Sequence, residues 1–138
     1  MIIGVDPRLS PELLMALAGM GHGDVAAIVD RNFPAGSLGP PVVRLVGCST
    51  PEALEAVVSA IPVDIDDLPS AMFMAEPRGE VEVHAECRAV LRRAGVADEH
   101  VVGLKRHDFY DYASSAVVIV QTGEPRPYGN ATVRKGVL

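Results

Sequence analysis

Short apolar runs alternate along this chain with stretches in which apolar residues recur every three or four positions. Ser10-Pro11-Glu12 has the form of a helix start, with a capping hydroxyl, a proline at the first helical position and an acid that complements the helix dipole. The spacing of Leu13, Leu14, Leu17 and Met20 puts them on one face of a helix that ends near Gly21. Residues 25–29 (VAAIV) predict a buried strand ending at Asp30, and residues 42–46 (VVRLV) a second strand after a Pro- and Gly-rich loop over 32–41. Thr50-Pro51-Glu52 predicts a further helix start, with Leu54, Val57, Val58 and Ile61 facing a sheet. Strands follow at 71–75, 101–105, 116–121 and 131–135, with helices over 80–94, where Arg88, Arg92 and Arg93 are expected in solvent, and around 108–115. This alternation predicts an α/β fold.

The 138 residues suit one domain, spanning 1–138. Hydrophobic residues make up 49% and aromatics only 4%, so aliphatic side chains must fill the core. The net charge of -6 argues against a nucleic-acid partner, whose phosphates reward clustered Lys and Arg, and against docking on an anionic membrane. Cys48 and Cys87 form no CxxC and fit no zinc spacing, so two buried thiols are expected. The N-terminus lacks the pattern of a signal peptide, and no apolar run approaches the ~20 residues that span a bilayer. A cytoplasmic location is the expectation.

In open α/β sheets, ligands bind beyond the C-terminal ends of the strands. Four polar features are assigned to such ends or the loops beside them: GHGD at 21–24, Asp30, Arg106 and PYGN at 127–130. His22 lies between two glycines that leave its imidazole uncovered, and histidine is the natural proton shuttle near neutral pH. Asp30 can accept hydrogen bonds from hydroxyls or orient His22. The planar fork of Arg106 can donate to two oxygens, with His107 beside it. Tyr128, Gly129 and Asn130 form a turn that can present a phenol and an amide. Each also has a plain structural explanation as a helix-end, loop, surface or turn residue. No GxGxxG follows a strand, and GxxxxGK[ST], GxSxG and HExxH are absent, so nucleotide, serine-hydrolase and zinc-protease chemistry find no support. His, Asp, Arg, Tyr and Asn without a nucleophile or metal set suit proton transfer on a hydroxylated ligand.

The chain resembles the RbsD/FucU family, which comprises D-ribose pyranases and L-fucose mutarotases. The resemblance rests on LSPELLMALAGMGHGD at 9–24, Asp30 with NFP at 32–34, GSLGPPVVR at 36–44, KRHDFYDYA at 105–113 and TGEPRPYGNATVRKGVL at 122–138. GHGD, NFP, Arg106 and YGN resemble the fucose branch, whereas the ribose branch typically has GHTD, GLP, a histidine and YAN at these places. It implies a three-layer α/β/α domain around a central, mostly parallel mixed sheet, and a mutarotase that needs no cofactor or metal. It further implies His22 as the acid/base, with Asp30, Arg106, Tyr128, Gly129 and Asn130 binding a monosaccharide. Tyr110 is a weaker candidate. The family also carries an aspartate before the third strand, for which Asp66 is the best match, with Asp64 and Asp67 nearby. A ring-like homo-oligomer, typically a decamer, is implied, with the YGN turn reaching a neighbouring subunit's site. The alternatives are a D-ribose pyranase, a sugar-binding module without turnover and a purely structural assembly protein.

Overall fold

Six short strands, β1 (Val25–Val29), β2 (Val42–Leu45), β3 (Ala71–Met74), β4 (Val101–Leu104), β5 (Val118–Thr122) and β6 (Ala131–Arg134), form one sheet in the spatial order β2-β5-β1-β6-β3-β4. Four helices accompany them in a computed structural model that describes residues 1–138: α1 (Pro11–Ala18), α2 (Thr50–Ala60), α3 (Glu82–Arg93) and α4 (Arg106–Ala113). β2, β5 and β1 run parallel, as do β3 and β4, while β6 runs antiparallel between β1 and β3. The sheet is therefore mixed, with its one reversed strand near the centre.

All five residues of β1 and of β5 are buried, which explains why neither sequence alternates. Their side chains still divide by period two. Ala26, Ile28, Val118 and Val120 join a larger core with Leu13 and Leu17 of α1, Leu54 and Val57 of α2, and Val90 and Leu91 of α3. Val25, Ala27, Val29 and Ile119 face the other way, against Phe33 and against Phe109 and Ala113 of α4. The result is a three-layer α/β/α arrangement with three helices on one face and one on the other.

The helix starts follow from local chemistry. Ser10 Oγ accepts the Leu13 N–H at 3.2 Å, as its position before Pro11 predicts. α2 begins at Thr50, as the Thr50-Pro51-Glu52 sequence predicts, with Ser49 as the cap exchanging hydrogen bonds with Glu52 in a capping box. With Ser49 as the cap, the Thr50 hydroxyl is free to bond elsewhere. Two expectations are corrected. Arg88 is not solvated: it pairs with Glu80, its guanidinium lies 5.4 Å from the Phe73 ring centre, and only 18% of its side chain is exposed. Cys87 is buried but Cys48 only partly so, because it lies on the turn after edge strand β2.

β6 runs back along β1, so its two ends reach the two ends of β1. Ala131 pairs with Ile28 near the end of β1, and Arg134 with Val25 at its start. The loop joining β5 to β6 begins at Gly123, whose backbone packs directly on the Val46 carbonyl. A methyl group there would overlap that carbonyl. Gly123→Ala should therefore lower the unfolding free energy by about 2–3 kcal/mol, read as a reduced urea midpoint at unchanged slope.

Candidate active site

Two polar clusters stand at opposite ends of the sheet. The first lines a cleft of about 230 Å³ formed by Asp30, Asn32, Phe33, Met74, Arg106, Tyr110, Pro127, Tyr128 and Asn130. It lies beyond the C-terminal ends of β1, β3 and β4, where an α/β sheet is expected to bind ligands. The reversed strand places Asn130, just before β6, against Asp30, just after β1. Asn130 Oδ1 accepts the Asp30 N–H at 2.8 Å, and Asn130 Nδ2 donates to Asp30 Oδ2 at 3.1 Å. Asp30 Oδ1 accepts the Asn32 N–H at 2.9 Å. Both side chains are buried, Asp30 at 6% exposure and Asn130 at 3%. Burial pushes the Asp30 carboxyl above its ordinary value, and the bonds from Asn32 and Asn130 offset this only in part.

The rest of the cleft is part cationic and part aromatic. Arg106 is the first residue of α4, and its guanidinium lies 6.0 Å from the Tyr110 ring centre one turn later. Tyr110 packs edge-on against Phe33 at 5.3 Å and against His107 at 5.7 Å. His107 is absent from the cleft lining, which separates its place from that of Arg106. Tyr128 has φ 62, the one left-handed backbone among the non-glycine residues. Gly129 has no room for a side chain, since a Cβ would come within 2.8 Å of Glu124 Cγ. A larger cavity of about 370 Å³ between α2 and α3 offers no comparable set. Its Glu52 belongs to the helix cap, Glu55 pairs with Arg8 and Arg93, and Glu86 pairs with Arg126.

The second cluster rules out one of the two roles open to Asp30, that of orienting His22 of its own chain, and places GHGD away from the C-terminal ends of the strands. His22 precedes β1 and Asp30 follows it. From Val25 to Asp30 alone the strand advances about 17 Å. His22 is therefore absent from the cleft, and its side chain is 48% exposed at the N-terminal end of the sheet. The GHGD loop is fastened there by the Gly23 N–H to the Lys135 carbonyl at 2.9 Å, just past β6.

The partner of His22 is Asp64. His22 Nε2 lies 3.0 Å from Asp64 Oδ2 and 3.6 Å from Asp67 Oδ2. Asp64 is 2% exposed, and its Oδ1 accepts the backbone N–H groups of Asp66 and Asp67. Those backbone bonds, with His22 itself, hold the Asp64 carboxyl below the usual carboxylate range despite its burial. Asp66, the aspartate favoured from sequence, contributes its backbone N–H to Asp64, whereas the Asp64 side chain faces the imidazole. An ionised carboxylate only accepts, so Nε2 carries the proton and Nδ1 is the free basic nitrogen of a neutral ring. His22, Asp64 and Asp67 present donor atoms within 4.8 Å of one another. The 3.0 Å separation of His22 from Asp64 is accounted for by a direct hydrogen bond.

A family model described as the RbsD / FucU transport protein family matches residues 3–138. The chain belongs to the RbsD/FucU family. Within this family it is similar to the fucose mutarotase of Homo sapiens, 43% identical over 98% of this chain and 93% of that protein. It is also similar to the L-fucose mutarotase of an Actinobacillus pleuropneumoniae strain, 36% identical over 99% of this chain and 97% of that one. Among solved RbsD/FucU structures, the fucose mutarotase from Streptococcus pneumoniae in complex with L-fucose superposes with a TM-score of 0.91, at 31% identity over 99% of each chain. Bacillus subtilis RbsD complexed with D-ribose shares the fold, with a TM-score of 0.73 at 21% identity, covering 100% of this chain and 99% of that chain.

Two outcomes follow from the cleft geometry. Asn130→Ala leaves the buried Asp30 amide and carboxylate short of a partner, and should cost about 2 kcal/mol of stability in urea denaturation. Because the folded-state value of Asp30 is raised above 3.8, the contribution of this carboxyl to stability is full below that pH and is lost as pH rises through the folded value. Asp30→Asn removes that dependence. Measured by denaturation at each pH, the stability of the variant relative to the wild type should improve from pH 4 to pH 7, and a decline would contradict the assignment.

Proposed function

We propose that this protein is a sugar mutarotase that interconverts the α and β anomers of L-fucose or a closely related monosaccharide. The observation that carries this reading is the cleft itself. A buried carboxylate, a primary amide, a guanidinium and two phenols converge on a space sized for a single small ring, beside the apolar walls of Phe33 and Met74. Such a set donates to and accepts from several hydroxyls at once. The fucose mutarotase relatives and the L-fucose complex support the same substrate class.

Anomer exchange removes a proton from the anomeric hydroxyl and delivers one to the ring oxygen. The C1–O5 bond breaks as the C1 carbonyl forms, the carbonyl turns over, and closure retraces the path. Protons balance and no electrons are exchanged. In our reading, His22 Nδ1 is the base that starts this cycle and, once protonated, the acid that completes it. Asp64 holds the ring in the required tautomer and stabilises the imidazolium. Asp30, Arg106, Asn130 and Tyr128 orient the hydroxyls, with Tyr110 closing the aromatic side and Gly129 allowing the turn to approach.

β1 keeps His22 away from the cleft of its own chain. We therefore read the working site as shared between protomers, with the cleft of one facing the His22–Asp64 pair of another, in a ring-like homo-oligomer such as the decamer implied by the family resemblance. Two free thiols and no disulfide accord with a reducing, cytoplasmic setting.

His22→Gln should reduce anomer exchange on L-fucose by about 10²–10⁴-fold, as saturation-transfer NMR reads it, while the circular dichroism spectrum is retained. Wild-type exchange in the variant would remove His22 from the mechanism. A parallel panel with D-ribose separates mutarotation of fucose-like sugars from pyranase activity, and sugar binding with exchange at the solvent rate would indicate a binding module.

A further inference from the structure

Behind the cleft, on the α2–α3 side of the sheet, lies a buried imidazole to which the proposed mechanism gives no task. His84, in the first turn of α3, is 2% exposed. Its ring stacks on Phe73 of β3, with centroids 5.1 Å apart and planes inclined by 15°. Nε2 lies 2.8 Å from the Tyr128 carbonyl oxygen, and Nδ1 faces the Val81 N–H at 3.5 Å. These two neighbours decide the proton positions. A carbonyl only accepts, so Nε2 carries a hydrogen. A backbone N–H only donates, so Nδ1 must offer a lone pair. His84 is thus neutral and bonded at both nitrogens, and its burial disfavours protonation.

What His84 grips is the one residue of the cleft in a left-handed conformation that tyrosine rarely adopts. The Tyr128 carbonyl accepts both the Asn130 N–H at 2.8 Å and the His84 Nε2–H. The next carbonyl, that of Gly129, accepts the Thr50 hydroxyl at 2.7 Å. Glu124, fully buried, accepts the Thr50 N–H at 3.2 Å and the Arg126 guanidinium at 2.7 and 2.9 Å, and Arg126 also pairs with Glu86. The backbone of the 128–130 turn is therefore held from behind, by α3 through His84 and by the start of α2 through Thr50. Tyr128 and Asn130 line the cleft, with the Asn130 amide bonded to Asp30.

We propose that His84 is a positioning residue for sugar binding: by donating Nε2–H to the Tyr128 carbonyl it fixes the left-handed turn that presents Tyr128 and Asn130 to the ligand. The inference rests on the reading of the cleft as a sugar site. His84 touches no reacting atom, so its loss acts on affinity rather than on the chemical step. The charged groups nearest it are Glu80 and Arg88, and Glu76 lines the same small cavity. None of these donates to the Tyr128 carbonyl, so none replaces the bond.

The test separates the donor from the ring. His84→Phe keeps an aromatic ring to stack on Phe73 and removes the donor, whereas His84→Gln keeps an amide donor and removes the ring. The expected result is a KM for L-fucose raised about tenfold in His84→Phe with kcat within about twofold, and most of the affinity restored in His84→Gln. A KM unchanged in His84→Phe overturns the inference, as does equal loss in both variants, which would indicate packing alone. In the wild-type protein, ¹⁵N NMR should show His84 as the Nε2–H tautomer, and an Nδ1–H tautomer overturns the inference even if a variant fails to fold. Tyr128→Phe is run alongside. If it leaves KM unchanged while His84→Phe raises it, the phenol is removed from the sugar site and the inference stands on Asn130.

Discussion

A single reversed strand organises both polar clusters of this protein. β6 enters the sheet between β1 and β3 against the direction of every other strand. Its start brings Asn130 to Asp30, and its end supplies the carbonyls of Arg134 and Lys135 that fasten Asp64 and the GHGD loop. A parallel strand in this place would need a crossover connection and would exchange the two ends. The same strand that assembles the cleft therefore assembles the imidazole–carboxylate pair, and keeps the two apart by its own length.

That separation gives the two aspartates different surroundings. Asp30 is buried and pushed above its ordinary value, in the polar cleft. Asp64 is held below the usual carboxylate range by backbone N–H groups, so it remains an anion beside His22. The two aspartates thus stand in opposite electrostatic settings, and in the function we propose one serves ligand recognition and the other orients a proton carrier. The GHGD loop leaves the imidazole half exposed, as the shared site we propose requires.

Much of this was legible in the chain. The strand at 25–29 ending on Asp30 and the proline-marked starts of α1 and α2 follow from pattern and turn chemistry, whereas Asp30, Arg106, Tyr128 and Asn130 stand out as binding candidates through the family resemblance, and the structure gathers those four in one cleft. Local signals mark His22 as an uncovered loop histidine without telling which end of the sheet it occupies. That depends on strand direction, and a residue just before a parallel strand is at its N-terminal end. Asp64 was obscured by Asp66 and Asp67, since three acids in one short loop look alike until one carboxylate is seen to take the backbone N–H groups of the others. His84 carried no signal at all. It reads as one polar position in a charged helix, and its buried bond to Tyr128 joins residues 44 apart.

The central claim is that one protomer supplies the cleft and another supplies the imidazole. Mixing His22→Gln protomers with Arg106→Ala protomers, unfolded together and reassembled, tests it directly by NMR exchange on L-fucose. Neither variant alone should turn the sugar over at an appreciable rate, whereas the mixed assembly should recover activity, because some interfaces then join an intact cleft to an intact His22. A mixture no more active than the average of its parts would place the whole site within one chain and contradict the account.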